Sequence, residues 1–165
     1  LASKFIKPHI EAELAFVIGR DLAKPDVSLD DVVAATEFVI PALEVVDHRM
    51  MSPRTVADTI ADNSAFAAIV LSDRRFRTKD IGTAWIGATL SRNGVVEESG
   101  VSGTGIESPG ACVAWLANAL LLKGASLRKG DIVMAGAFAR SIAVAAGDEI
   151  RADYGPLGTI DVSFR

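Results

Sequence analysis

The fold of this chain is decided by residues 7–19, which read KPHIEAELAFVIG. Apolar side chains at every second position, from Ile10 to Ile18, alternate with a second set that includes Glu11 and Glu13. An alternation of period two predicts a β-strand, in which side chains two residues apart share a face with Cα atoms about 6.5–7 Å apart. The two glutamates are therefore expected to lie side by side, while the apolar set faces the core.

Repulsion between these glutamates makes their strand face a candidate metal site. Adjacent carboxylates oppose each other's ionisation, and a bound cation relieves that repulsion. The alternative is a solvated strand face, because a Glu-x-Glu pair alone is a weak motif. Glu44 adds a third carboxylate within the apolar stretch 39–46, where a buried carboxylate must be paired, protonated or bound to a metal. The residues alone leave both interpretations open.

Composition predicts one globular domain over residues 1–165. Half of the residues are apolar and 23% are charged, which suits a chain that buries a core. The net charge of -4, with no basic stripe, argues against a nucleic-acid partner. The longest apolar helix candidate, residues 111–122, is shorter than the about 20 residues that cross a bilayer, so no membrane association is predicted. The single cysteine, Cys112, suits the reducing cytoplasm.

Cap and turn signals divide the chain after residue 19. N-cap serines followed by acidic or proline first turns predict helices that begin after Ser28, Ser52 and Ser108. Asn93-Gly94, between two alternating segments, is a strong signal for a β-hairpin. Residues 100–107 are rich in turn formers and are expected to form a loop.

Short strands are predicted before the last helix and throughout the last third of the chain. Apolar or alternating stretches predict them over 39–46, 65–71, 131–138, 141–145, 149–154 and 159–164. Pro41 is expected to confine its strand to a sheet edge or a bulge, because proline donates no ladder hydrogen bond. Strands that first alternate with helices and then follow one another predict an α+β fold, with a mixed sheet or a barrel-like roll.

Five stretches together resemble one known family of enzymes. They are residues 10–17, 41–47, 60–64, 113–118 and 130–133, which read IEAELAFV, PALEVVD, IADNS, VAWLAN and GDIV. In order and spacing they are similar to the 2-oxo-acid hydratase and decarboxylase branch of the fumarylacetoacetate hydrolase superfamily. The resemblance runs from Lys7 to Arg165 and implies the fold of that family, a mixed β-sheet roll or barrel with a few short helices.

The resemblance implies a divalent-metal site formed by Glu11, Glu13 and Glu44. Members of the superfamily that hydrolyse C–C bonds usually carry aspartate at the third position, whereas glutamate there is typical of the hydratase and decarboxylase branch. Mg²⁺ or Mn²⁺ is the expected cofactor, since three carboxylates suit a hard cation and leave positions for substrate. The implied reaction is metal-dependent hydration of a 2-oxo-enoic acid to a 4-hydroxy-2-oxo acid in aromatic catabolism.

The resemblance also implies roles for four further residues. Asp62 is expected to be catalytic, and Asn63 and Ser64 are expected to position the substrate. The segment 136–140 resembles the version found in hydratases of 2-oxoheptenedioate, so Arg140 is expected to bind the distal carboxylate of a dicarboxylic substrate. A 2-oxoheptenedioate is therefore the favoured substrate, ahead of 2-oxopent-4-enoate.

Other functions stay open at this point. Decarboxylation of a 4-oxalocrotonate-type 2-oxo acid is the nearest alternative, and hydrolysis of acylpyruvates ranks third. A non-catalytic metal-binding or assembly module is the alternative from a different class, because relatives carry an N-terminal region that is absent from a sequence opening on Leu1. A cytoplasmic homo-oligomer is expected, with a small-molecule 2-oxo acid as its binding partner.

Overall fold

Two sheets form the molecule in this computed structural model, which describes residues 2–103 and 108–165. The first sheet contains β1 His9–Ile18, β2 Thr36–Val46, β3 Phe66–Leu71, β6 Ile132–Met134 and β7 Ile142–Ala143. The second contains β4 Gly87–Arg92, β5 Val95–Val101, β8 Glu149–Asp153 and β9 Thr159–Ser163. The strand orders are β3–β2–β1–β6, with β7 also paired to β1, and β5–β4–β8–β9. Every pairing between these strands is antiparallel.

In the described residues, three short α-helices accompany the sheets: α1 Leu29–Ala35, α2 Val56–Ala61 and α3 Pro109–Leu121. The predicted α+β class with few short helices is therefore confirmed, and its sheets are antiparallel where a mixed sheet was predicted. In the described residues, no helix has the length and apolar character needed to cross a membrane. The loop predicted for residues 100–107 lies outside the described residues from position 104 onward.

The two faces of β1 have different environments, as its period of two predicts. From Ile10 to Ile18, every second side chain is at most 1% exposed and belongs to the main core cluster. Glu11 and Glu13 lie on the opposite face. A slip of one residue in the register would move the whole apolar set to the face of the glutamates, and each large apolar side chain contributes roughly 1.5–3 kcal/mol when buried. Core packing therefore fixes the direction in which the two glutamates point.

β2 is a central strand, although Pro41 predicts an edge strand or a bulge. Pro41 faces Leu14 of β1, while β3 pairs with β2 only between Ala42 and Val46. The Pro41 carbonyl accepts a hydrogen bond from Ser72 at 3.0 Å, just after β3 has ended. The Pro41 nitrogen, which carries no hydrogen, is on the same side of β2 as its carbonyl. That position lies beyond the last residue of β3, so β2 and β3 lose no hydrogen bond of their ladder. Proline is tolerated in this central strand for that reason.

Capping boxes set the starts of α1 and α2. The Ser28 hydroxyl accepts from the Asp31 N–H at 3.2 Å, and the Ser28 N–H donates to the Asp31 carboxylate at 2.9 Å. Thr55 and Asp58 form the same reciprocal pair at 3.2 and 2.7 Å. The second helix therefore begins after Thr55 and not directly after Ser52, because the later box satisfies the free N–H groups of the first turn.

Candidate metal centre

Strand register brings three glutamates together. Glu11 on β1 lies directly opposite Glu44 on β2, and Glu13 follows two residues along the same face of β1. One carboxylate oxygen from each residue lies within 4.8 Å of those from the other two. Mg²⁺ and Mn²⁺ prefer carboxylate oxygen ligands of this kind. The donor set therefore fits a divalent cation.

Burial makes this cluster unfavourable without a cation. Glu13 is only 2% exposed. Burial is the main cause that raises the pKa of its carboxyl, to about 8, and the charges of Glu44 and Glu11 raise this pKa further. The hydrogen bond from Gly136 lowers the same pKa but does not offset the rise. Burial, and then the Glu44 charge, also raise the pKa of Glu11. Without a cation the cluster therefore favours binding a proton, and a bound cation would compete with that proton.

A loop at residues 135–141, between β6 and β7, borders the carboxylates. The Gly136 N–H donates to Glu13 Oε2 at 2.8 Å. Gly136 has a φ of +96°, a left-handed conformation that glycine adopts without steric cost. The Phe138 N–H donates to a β1 carbonyl at 3.3 Å, and a Cβ on Gly100 would lie 1.6 Å from the Phe138 oxygen. Both glycines thus allow the loop to lie close to the cluster.

Tyr154 supports the cluster from within the core. Its side chain is 1% exposed, and its hydroxyl donates to the Ala42 carbonyl at 2.5 Å. Ala42 lies opposite Glu13 in the β1–β2 ladder. Burial raises the pKa of the Tyr154 hydroxyl, and the Glu13 charge adds to the rise, so the phenol remains a neutral donor. Sequence reasoning missed this contact, because nothing local signals a bond between residues 112 positions apart.

Arg140 lies near the end of the loop that borders the cluster. It is exposed, and the ion pairs among the described residues do not include it. The next residue, Ser141, has its hydroxyl 3.3 Å from His9 Nδ1, and His9 pairs with Ala143 on β7. Since His9 precedes Glu11 by two positions on the same strand face, this end of the loop adjoins the carboxylates.

The predicted catalytic residue Asp62 lies in the turn between α2 and β3. Its two carboxylate oxygens accept hydrogen bonds from the Arg49 side chain at 2.6 Å and from the Arg49 N–H at 3.0 Å. These hydrogen bonds lower the pKa of Asp62. The nearby His48 has a buried Nδ1 atom without a hydrogen-bond partner among the described residues. Asp62 is therefore an ion-paired group in this structure.

Asn63 and Ser64, the predicted substrate-positioning residues, follow in the same turn and are exposed. The turn leads into β3, whose first residue, Phe66, pairs with Val46, two positions beyond Glu44. Within the described parts of the chain, no hydrogen bond connects this turn to the three glutamates. The structure thus groups the predicted metal ligands with the Arg140 loop, and it places the turn at the end of the strand pair that carries Glu44.

Comparison with known proteins identifies relatives over nearly the whole chain. The family model described as Fumarylacetoacetate (FAA) hydrolase C-terminal matches residues 2–165. A 2-oxo-hept-4-ene-1,7-dioate hydratase from Escherichia coli is 42% identical over 168 residues, and a 4-oxalocrotonate decarboxylase from Pseudomonas putida is 34% identical over 163 residues. Each match covers 98% of this chain but only 63% and 62% of the respective relative. The chain thus spans about three fifths of their length.

A solved structure has the same fold. It is the 4-oxalocrotonate decarboxylase from Pseudomonas putida G7, complexed with magnesium and adipate. The TM-score is 0.94 at 32% sequence identity, and the match covers 99% of this chain and 63% of that chain. The fold is therefore shared with a relative whose structure was solved in complex with magnesium.

Proposed function

This chain belongs to the fumarylacetoacetate hydrolase family, and we propose that it carries the metal site of an enzyme that hydrates a 2-oxo-enoic acid. The observation that carries the proposal is the cluster of three glutamate carboxylates within 4.8 Å of one another. The 42% identity to a hydratase supports hydration as the reaction. The favoured substrate is a 2-oxoheptenedioate, and the favoured setting is aromatic catabolism.

Glu11, Glu13 and Glu44 are the proposed ligands of Mg²⁺ or Mn²⁺. A cation held there would act as a Lewis acid toward the keto and carboxylate oxygens of a 2-oxo acid. The Gly136 N–H fixes one Glu13 oxygen, so that the Glu13 carboxylate has one preferred orientation in the cluster. The magnesium in the decarboxylase structure supports this choice of cation.

The substrate is proposed to extend from the glutamates along the loop at residues 135–141. Arg140 at the end of this loop would bind the distal carboxylate of a dicarboxylic substrate, since a guanidinium pairs with a carboxylate through two parallel hydrogen bonds. Asn63 and Ser64 are proposed to hydrogen-bond the substrate. Asp62 is proposed as the catalytic residue, and its hydrogen bonds from Arg49 also fix the turn that carries Asn63 and Ser64.

Decarboxylation of a 4-oxalocrotonate-type substrate is the second candidate. The structural match to the decarboxylase, with a TM-score of 0.94, favours it. Both reactions begin from a chelated 2-oxo acid, and they differ in whether water is added or CO₂ is lost. The fold alone does not choose between them.

Product analysis on the full-length protein tests the proposal. Incubation with a 2-oxoheptenedioate and Mg²⁺ should yield the 4-hydroxy-2-oxo acid without release of CO₂. EDTA should abolish turnover, and renewed Mg²⁺ should restore it. Release of CO₂ as the main product would favour the decarboxylase, whereas full activity in EDTA would refute the metal-dependent mechanism.

A cytoplasmic location and a homo-oligomeric state are also proposed. A single cysteine suits a reducing compartment. Trp85, Trp115 and Leu122 are 78%, 67% and 88% exposed, and they are proposed to contact another copy of the chain. Sedimentation equilibrium of the full-length protein tests this, and a monomer at micromolar concentration would contradict it.

A further inference from the structure

Three consecutive residues after Asp62 have left-handed backbones. The φ angles of Asn63, Ser64 and Ala65 are +52°, +54° and +62°. A left-handed backbone is disfavoured for residues other than glycine, and a run of such residues persists only where the surroundings enforce it. Strained segments of this kind concentrate at functional sites.

One arginine holds both ends of this turn. Arg49 donates from Nε and from its backbone N–H to the Asp62 carboxylate, at 2.6 and 3.0 Å. One terminal nitrogen donates to the Asp62 carbonyl at 2.6 Å, and the other donates to the Phe66 carbonyl at 2.9 Å. The guanidinium therefore spans the three left-handed residues from the position before them to the position after them.

The same turn is anchored to the strand that carries Glu44. The Asp47 N–H donates to the Ala65 carbonyl at 2.8 Å, and Ala65 is fully buried. Asp47 directly follows β2, three residues after Glu44. Asp47 also fixes the chain entering β1, since its carboxylate accepts from the N–H groups of Ile6 and Lys7, both at 2.8 Å. The turn, β2 and the start of β1 are thus joined by direct hydrogen bonds.

We propose that Arg49 is a positioning residue of the substrate site: it holds Asn63 and Ser64 in the one backbone conformation from which they contact the 2-oxo acid. This inference rests on the proposed function. Ala65 anchors the turn in the core, whereas the two preceding side chains are exposed and available to a ligand. Asp62 serves as the counter-ion that orients the guanidinium.

The planar fork of arginine explains why this residue type is required. Four donors from one residue reach a carboxylate and two carbonyls in fixed directions. A lysine ammonium at the same position would keep the charge but could not span Asp62 and Phe66 together. Arg49→Lys is therefore expected to behave like Arg49→Gln in substrate binding, although it retains the charge and most of the side-chain volume.

The test compares Arg49→Gln and Arg49→Lys with a matched control in the full-length protein. Arg54→Gln is the control, because Arg54 lies in the same connection and its hydrogen bond in the described residues runs only to the Ser52 hydroxyl, at 3.0 Å. Three quantities are measured: kcat/KM for a 2-oxoheptenedioate, the Kd for Mn²⁺ by electron paramagnetic resonance, and hydrogen exchange of the amides at 63–66.

Both Arg49 variants should lose about 10- to 100-fold in kcat/KM, the range for loss of one or two charge-assisted contacts. Their Mn²⁺ affinity should stay within about twofold of the wild type, since the glutamates are not altered. Exchange at residues 63–66 should accelerate in the Arg49 variants and stay slow in Arg54→Gln. Arg49→Lys covers the case in which Arg49→Gln does not fold.

Unchanged kcat/KM in the Arg49 variants would overturn the inference, as would full activity of Arg49→Lys. An equal loss of Mn²⁺ affinity would also overturn it, because Arg49 would then act on the glutamates. If the wild-type protein turns over no 2-oxo acid, the proposed function fails instead. Hydrogen exchange then tests separately whether Arg49 holds the turn. Unchanged amide protection at residues 63–66 in Arg49→Gln would refute that role.

Discussion

Glu13 shows how one residue couples the fold to metal binding. It is nearly fully buried, yet it lies on the strand face opposite the apolar core, where Gly136 is its hydrogen-bond donor. The alternation in residues 7–19 predicts this orientation correctly, because a period of two is a local property of the chain. The hydrogen bond from Gly136 is not predictable in the same way, since it joins residues 123 positions apart.

The raised pKa of Glu13 predicts that cation binding releases a proton. Burial raises the pKa of this carboxyl to about 8, so at pH 7 the cluster of glutamates holds a proton more readily than exposed glutamates do. Proton and cation compete for the same oxygens, so the apparent Mn²⁺ affinity should increase from pH 6 to pH 8 and level off above. Calorimetry at pH 7 in two buffers of different ionisation enthalpy should report close to one proton released per cation. Identical heats in the two buffers would contradict this.

Arg140 carries the prediction about substrate choice. A charge-assisted hydrogen bond contributes roughly 1.5–3 kcal/mol, so Arg140→Ala should lower kcat/KM for a 2-oxoheptenedioate by about one to two orders of magnitude. Turnover of 2-oxopent-4-enoate should be nearly unchanged, because that substrate has no distal carboxylate. Equal losses with both substrates would make Arg140 structural and would favour a monocarboxylate substrate or the decarboxylase.

At the scale of elements, signals confined to a few residues predicted the structure well. The hairpin at Asn93-Gly94 joins β4 to β5, and both turn residues adopt positive φ, +53° and +82°. The strand expected over residues 131–138 is shorter, because β6 ends at Met134 and Gly136 turns the chain toward Glu13. Whether an apolar stretch continues as a strand depends on its distant partners, which a local pattern does not contain.

The close approach of β5 to the loop at residues 135–141 gives a prediction at this scale. Gly100→Ala would place a Cβ 1.6 Å from the Phe138 carbonyl oxygen, so the loop must move and the Gly136–Glu13 bond should weaken. Overpacking of this kind costs roughly 1–3 kcal/mol. A lower melting temperature and weaker Mn²⁺ binding are therefore expected.

Gly87→Ala is the matched control, because its Cβ would meet no atom closer than the Gly100 carbonyl oxygen at 3.9 Å. This variant should bind Mn²⁺ like the wild type. If Gly100→Ala melts and binds Mn²⁺ like Gly87→Ala, the loop does not depend on the absence of a side chain at position 100.

At the scale of the whole molecule, the site depends on contacts between residues far apart in the sequence, which local patterns do not predict. The alternation within β1 alone places Glu11 and Glu13 on the same face. Placing Glu44 opposite Glu11 requires in addition the register of β1 against β2. The apolar stretch 39–46 made Glu44 a candidate, and the resemblance to a family implied its role as the third ligand. Neither the pattern nor the resemblance predicted the hydrogen bonds of Tyr154 and Arg49, because these join residues that are brought together only in the folded chain.

The central claim is that Glu11, Glu13 and Glu44 form one divalent-cation site, and Mn²⁺ titration followed by electron paramagnetic resonance tests it most directly. The wild-type protein should bind one Mn²⁺ per chain. Glu44→Gln, which removes one ligand charge, should weaken binding by about one to two orders of magnitude. Glu37→Gln, at an exposed position on the same strand, should bind like the wild type. Equal Mn²⁺ affinity in Glu44→Gln and the wild type would contradict the claim.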